Sequence, residues 1–189
     1  MVVDDNLADL GAKSITKVED VALFTGVHAD PPVEPKLTID GPGEYEVSTL
    51  SIYGIPARAH VDEPKQTSAA MYRLVVGDLS VLVTGHIYPD LTDDELERIG
   101  TIDVLIIPVG GSGYTLDPVG ALSVIKKIEP RIVIPTHYND KNLKFPVPQQ
   151  SLEFVLKGLG MEPAQTVNKL KLKPSDVTDA LRLIVLERS

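Results

Sequence analysis

Residues 79–110 read LSVLVTGHIYPDLTDDELERIGTIDVLIIPVG. An apolar, β-branched run comes first and a second one, DVLIIPVG, closes the stretch at residues 103–110. Between them, LTDDELERIG carries helix punctuation: Thr92 and Glu95 have capping-box spacing, and Gly100 is a stop. A strand, a short helix and a buried strand in succession predict a parallel β-α-β unit. This unit separates an α/β protein, with helices covering sheets, from an all-β sandwich.

Strand-like runs dominate the N-terminal side: VALFTG (21–26), KLTI (36–39), EYEVSTLSIYGIP (44–56) and MYRLVVGDLSVLVTG (71–85). The third reads as a hairpin turning at Ser48-Thr49. The last reads as two strands joined by Gly77-Asp78, a pair suited to a tight turn. On the C-terminal side the pattern alternates. A helix is expected over 117–130, with Asp117 as N-cap, Pro118 in the first turn and Pro130 as the stop. RIVIPT (131–136) is the next strand. A helix over 147–160 follows, with apolar positions 152, 155, 156 and 159 on one face. LRLIVLE (181–187) is a last strand, and Lys169–Lys173, alternating Lys with Leu, reads as a charged edge strand. Only GPG and LKFPVPQ look like irregular connectors. No fixed-period repeat is present, and 189 residues fit one domain spanning 1–189.

Composition narrows the function classes. A net charge of −9 argues against a nucleic-acid partner, which a basic patch would recognise. No apolar run reaches 18 residues, which argues against a membrane span. The acidic N-terminus lacks the basic region of a secretory signal. Cysteine is absent, which excludes disulfides and thiolate metal ligands. A cytoplasmic protein acting on a small molecule is expected.

The four histidines are placed alike. His28, His60, His86 and His137 each follow a strand-like run. Sites in α/β proteins gather on loops at one sheet edge, so four strand ends can bring four imidazoles together. Neutral imidazole suits zinc, iron and nickel, and Asp30 would add a carboxylate beside His28. Against this, a single histidine in a loop after a strand is commonly only polar and hydrogen-bonded.

The segments IDGPGEYEVSTLSIYGIPA, VLVTGHIYPDLTDDELERIGTIDVLIIPVGGSGYT and IEPRIVIPTHY, in this order, resemble the metallo-β-lactamase-fold hydrolases, in particular the compact branch of ascorbate-6-phosphate-lactonase-like proteins. The resemblance extends from about Val3 to the C-terminus. It implies a four-layer αβ/βα sandwich with a metal site at one edge of the two sheets, and an N-terminal hairpin missing or shortened. In the family's His-x-His-x-Asp-His loop, Gly26 and Pro31 stand where histidines would. His28 and Asp30 keep the family's residue types. His60 and His137 match later ligands, and His86 stands where the family has a bridging aspartate.

A neutral imidazole has one free lone pair and bridges two cations poorly, so the resemblance implies a single zinc ion rather than two, or no metal at all. His28, Asp30, His60, His86 and His137 are the candidate ligands. Three of them and a water would make a zinc site whose bound hydroxide attacks a small ester, lactone or phosphoester, with Asp30 orienting the water or taking its proton as the catalytic group. The proline pair 31–32 fixes backbone φ and opposes the family's wrapped loop. This favours the alternative, a catalytically degenerate binding or scaffold protein.

Arg58, Tyr114 and Tyr138 are the candidate substrate contacts, with packing or surface roles as their plain alternatives. The glycine-rich PVGGSGYT (108–115) could receive an anion, although Asp117 at the N-cap makes a simple turn the stronger reading. It matches no Walker or Rossmann spacing, and no G-x-S-x-G elbow occurs. An absent edge hairpin would expose strand edges and favour a homo-oligomer.

Overall fold

The computed structural model describes residues 1–26 and 33–188. Two sheets organise them. The smaller is parallel: β1 (Val2–Val3), β2 (Val21–Leu23) and β3 (Leu37–Ile39), in that order across it. The larger begins as an antiparallel meander of β4 (Gly43–Val47), β5 (Leu50–Ala57), β6 (Ala69–Val76) and β7 (Leu79–Val83). Both expected turns are present. Val47 pairs with Leu50 and Val76 with Leu79, leaving two-residue loops at Ser48-Thr49 and Gly77-Asp78. Gly77 has φ +56°, the left-handed conformation that such turns require.

From β7 onward the sheet is parallel. α1 (Asp93–Ile99) leads to β8 (Val104–Pro108), α2 (Pro118–Ile128) to β9 (Ile132–Thr136), and α3 (Leu152–Leu159) to β10 (Pro163–Val167), with β11 (Arg182–Leu186) last. The spatial order is β10-β11-β9-β8-β7-β6-β5-β4. The helix caps follow the sequence signals. The Thr92–Glu95 capping box forms, and Asp117 accepts from the Gly120 amide at 2.7 Å.

Two expectations are corrected. The third helix starts at Leu152, not 147, because Ser151 is its N-cap. The residues before it are committed elsewhere: the Gln150 amide donates to Gly110 O and its carbonyl accepts from Asn139. Lys169–Lys173 is not an edge strand. β10 takes that edge, and Leu170 and Leu172 instead pack over Val104, Ile132, Ile134 and Ile184 on the sheet face.

Period-2 alternation splits the central strands between two cores. Leu105 and Ile107 face the helices, packing with Val124 and Ile125 of α2, Val155 of α3 and Ile99 of α1. On the opposite face, Leu23 and Ile39 of the small sheet pack on Ile52, Tyr72 and Leu74. Helices therefore cover one face of the large sheet and the second sheet covers part of the other, the α/β layering expected from the sequence resemblance. Among the described residues all three α-helices contribute to the core on the helical face of the large sheet, and β1 runs parallel to β2. No described helix is long and apolar enough to cross a membrane.

The N-terminal segment is tied down by adjacent carboxylates. Asp4 accepts from the Thr25 amide (2.7 Å) and hydroxyl (2.8 Å). Asp5 is buried, and its Oδ2 accepts from Ser14 Oγ, the Ile15 and Thr16 amides, and Thr16 Oγ1, all within 2.6–2.9 Å. Asp5→Ala strands these donors and is expected to cost about 2 kcal/mol or more. A urea midpoint unchanged from wild type would show that the clamp is dispensable.

Candidate functional site

β5, β7, β8, β9 and β11 all point the same way, so the chain leaves each of them at one edge of the sheet. His86 follows β7 by way of Gly85. Gly85 has φ +62°, and a Cβ there would lie 2.1 Å from Thr25 Oγ1. Only glycine lets the end of β7 close on the end of β2. His60 is set beside His86 through the backbone. Its amide donates to His86 O at 2.7 Å, Ala59 bridges Ile87, and the Tyr88 amide donates to Arg58 O at 2.8 Å. His137 follows β9 with φ +59°, a strained conformation for a non-glycine residue. Its carbonyl occupies the space of a side chain at Gly110, where a Cβ would lie 2.1 Å away.

These backbone constraints gather aromatic and imidazole rings. His86 and His137 meet edge to face with centroids 4.6 Å apart. Tyr114 packs against His86 at 4.7 Å, and Phe145 against His137 at 4.8 Å. His60, His86 and His137 line one cavity of about 600 Å³, together with Tyr114 and Tyr138. Burial, reinforced by His137 and His60, pushes the His86 pKa down to about 4. Burial also lowers that of His137, opposed by the Gln149 carboxamide and its own backbone carbonyl. Both rings are therefore neutral at pH 7, the state in which imidazole binds a metal. The Nδ1 atoms of His60 and His137 are buried with no hydrogen-bond partner.

His28 and Asp30 lie outside the described residues. Among the described residues, no three His, Asp or Glu side chains are placed to hold one ion. Arg58 does not line the cavity. Its guanidinium donates to Asp62 O and stacks 3.7 Å from the Tyr88 ring centroid. Tyr138 lines the cavity and donates its hydroxyl to Leu186 O at 3.1 Å. In the glycine-rich loop, the Gly111 amide is satisfied by Thr115 Oγ1 and Leu116 O, and the Tyr114 and Thr115 amides by Gly111 O. With Asp117 filling the helix N-cap, the loop is a turn. Sequence reasoning missed Phe145, which lies in a stretch that reads only as a connector, and Leu7, Leu10 and Leu143 of the cavity wall.

Residues 2–137 match the family described as Beta-lactamase superfamily domain. The chain belongs to this superfamily. It is 39% identical over 71 residues to a UPF0173 metal-dependent hydrolase of Enterococcus faecalis, covering 35% of this chain and 30% of that protein. It is 30% identical over 101 residues to another of that name from Thermococcus onnurineus, covering 51% and 44%. The chain thus spans less than half the length of these curated relatives. A solved protein of Thermotoga maritima, assigned as a Zn-dependent hydrolase of the metallo-β-lactamase superfamily, superposes with a TM-score of 0.68 at 25% identity. That alignment covers 98% of this chain and 82% of that one. The superfamily fold places the histidine-lined cavity at the sheet edge, where loops leave the parallel strands.

The neutral His86 of this superfamily member makes stability depend on pH. In the unfolded chain the ring binds a proton below its ordinary pKa of 6.5, and in the folded chain only below about 4. Between these values the unfolded state holds more protons, so its stabilising contribution is complete above pH 6.5 and falls away towards pH 4. The loss is expected to reach roughly 3 kcal/mol. Urea unfolding of chelator-treated protein across this range checks it. His86→Gln should reduce the dependence, leaving the part that His137 contributes, and an equal slope in wild type and variant would contradict the neutral, buried ring.

Proposed function

We propose that the chain is a metal-dependent hydrolase that cleaves a small ester, lactone or phosphoester at a single cation, with zinc as the suited ion. The observation that supports this most is the contact of His86 and His137. Metal–nitrogen bonds of 2.0–2.1 Å place the centroids of two rings sharing an ion no more than about 6 Å apart, and these two stand at 4.6 Å. Both are neutral, and His60 lines the same cavity with a buried, unpartnered Nδ1. The donor set suits one ion and not a bridged pair. Gly26 offers no side-chain donor, and His86, at the bridging position, has one free lone pair.

In this reading His28 and Asp30 complete the site. A divalent cation held there would lower the pKa of water to about 7 and polarise the scissile carbonyl or phosphoryl. Asp30 takes the proton of the attacking water. Tyr114, against His86, borders the place of the scissile group.

A second reading is a metal-free binding protein on the same fold, in which the buried, neutral His86–His137 pair is a packing contact. Elemental analysis separates the two. The hydrolase reading expects about one zinc per chain after dialysis against zinc. It also expects the double variant His86→Ala, His137→Ala to lose the ion, with ester hydrolysis reduced at least about 100-fold. A folded wild type that holds no metal leaves the binding reading standing.

A further inference from the structure

We infer that the cavity selects an uncharged ester or lactone bearing an apolar acyl group, and disfavours phosphoesters. This rests on the hydrolase reading and narrows its substrate class.

The wall beside the histidines is apolar. Phe145 packs on the His137 ring at 4.8 Å, so apolar surface begins at the reacting centre itself. Leu143 from the same segment, Leu7 and Leu10 from the N-terminal segment, and Val83 and Ile106 from the sheet also line the cavity. The two segments are joined. The Lys144 amide donates to Leu10 O at 2.9 Å, and a Cβ at Gly11 would lie 3.4 Å from the Lys144 side chain. The Asp5 clamp fixes the far end of the N-terminal segment at Ser14, Ile15 and Thr16. The wall is thus a braced part of the fold, and about 600 Å³ lies within the usual range of small-ligand sites.

The charges point the same way. Among the described residues, Arg188 is the only Lys or Arg lining the cavity, and its guanidinium is paired with Asp140 at 3.3 Å. Two described carboxylates also line it, Asp140 in that ion pair and Asp4 held by Thr25. A phosphoester brings one or two negative charges that such a lining does not compensate, and desolvating them against leucine and phenylalanine is costly. Phosphoryl sites ordinarily offer arginine or lysine donors to the non-bridging oxygens. A cation at the histidines would serve a carbonyl and a phosphoryl oxygen alike, so discrimination falls to the rest of the lining.

Calorimetric titration of the chelator-treated protein with δ-hexalactone, δ-octalactone and δ-decalactone, against hexyl phosphate, tests this apart from turnover, which is assayed separately on the zinc-dialysed protein. Affinity is expected to rise about fourfold per added methylene, with hexyl phosphate bound at least about tenfold more weakly than δ-decalactone. Leu10→Ala and Leu143→Ala, made separately, should each reduce the gain per methylene. Chain-length-dependent binding without hydrolysis would sink the hydrolase reading and leave this inference intact. A flat lactone series, or hexyl phosphate as the tighter ligand, would overturn it even if esters are hydrolysed. The wild-type series decides the matter should either variant fail to fold.

Discussion

Gly85 and Thr25 touch with no space for a side chain between them. Thr25 ends the run that leaves the small sheet, and Gly85 ends the run that leaves β7 of the large one. Asp4 holds Thr25 by both its amide and its hydroxyl, and the Ala70 amide donates to Thr25 O at 2.8 Å. The two sheets are thereby drawn together at one edge, and His86, the next residue, is delivered to the space between them. Without this approach the histidine-bearing loops would open into solvent instead of enclosing a cavity.

The cavity concentrates unfavourable features that the rest of the fold must sustain. His137 holds a left-handed backbone conformation, two imidazole nitrogens are buried without partners, and His86 is kept neutral well below its ordinary pKa. Such features are costly singly, and here they lie within one ring-to-ring cluster. Buried strain and unpaired polar atoms of this kind collect where a ligand relieves them. In the proposed function a cation would take up imidazole lone pairs, and an apolar acyl group would lie along the leucine and phenylalanine wall.

Local signals were well expressed in the sequence. The two-residue turns, the Thr92–Glu95 box, the Asp117 cap and the alternation of strand and helix after residue 79 depend on neighbouring residues, and each is found where those residues put it. Features set by distant contacts were not legible. The residues before α3 look helical, but their backbone groups are taken by Gly110 and Asn139. Lys169–Lys173 alternates like a strand, yet its leucines serve a core on the sheet face. At the site, the likeness of the four histidine positions pointed to one sheet edge, where His86 and His137 touch and His60 lines the same cavity; His28 and Asp30 lie outside the described residues. The bridge from Ala59 to Ile87 that sets His60 beside His86 is isolated and has no local signature. Arg58 sits two residues from His60 but is turned away by the Asp62 carbonyl and the Tyr88 ring. The apolar wall arises from segments whose sequences read only as an acidic terminus and a connector.

The proposed chemistry requires that imidazoles from separate strand ends share one metal position. Anomalous diffraction at the zinc edge, from crystals of the protein grown with zinc, tests it most directly. A single strong peak within bonding distance of both His86 and His137 is expected. A peak at a surface carboxylate instead, or none in the cavity of a well-ordered crystal, would contradict it.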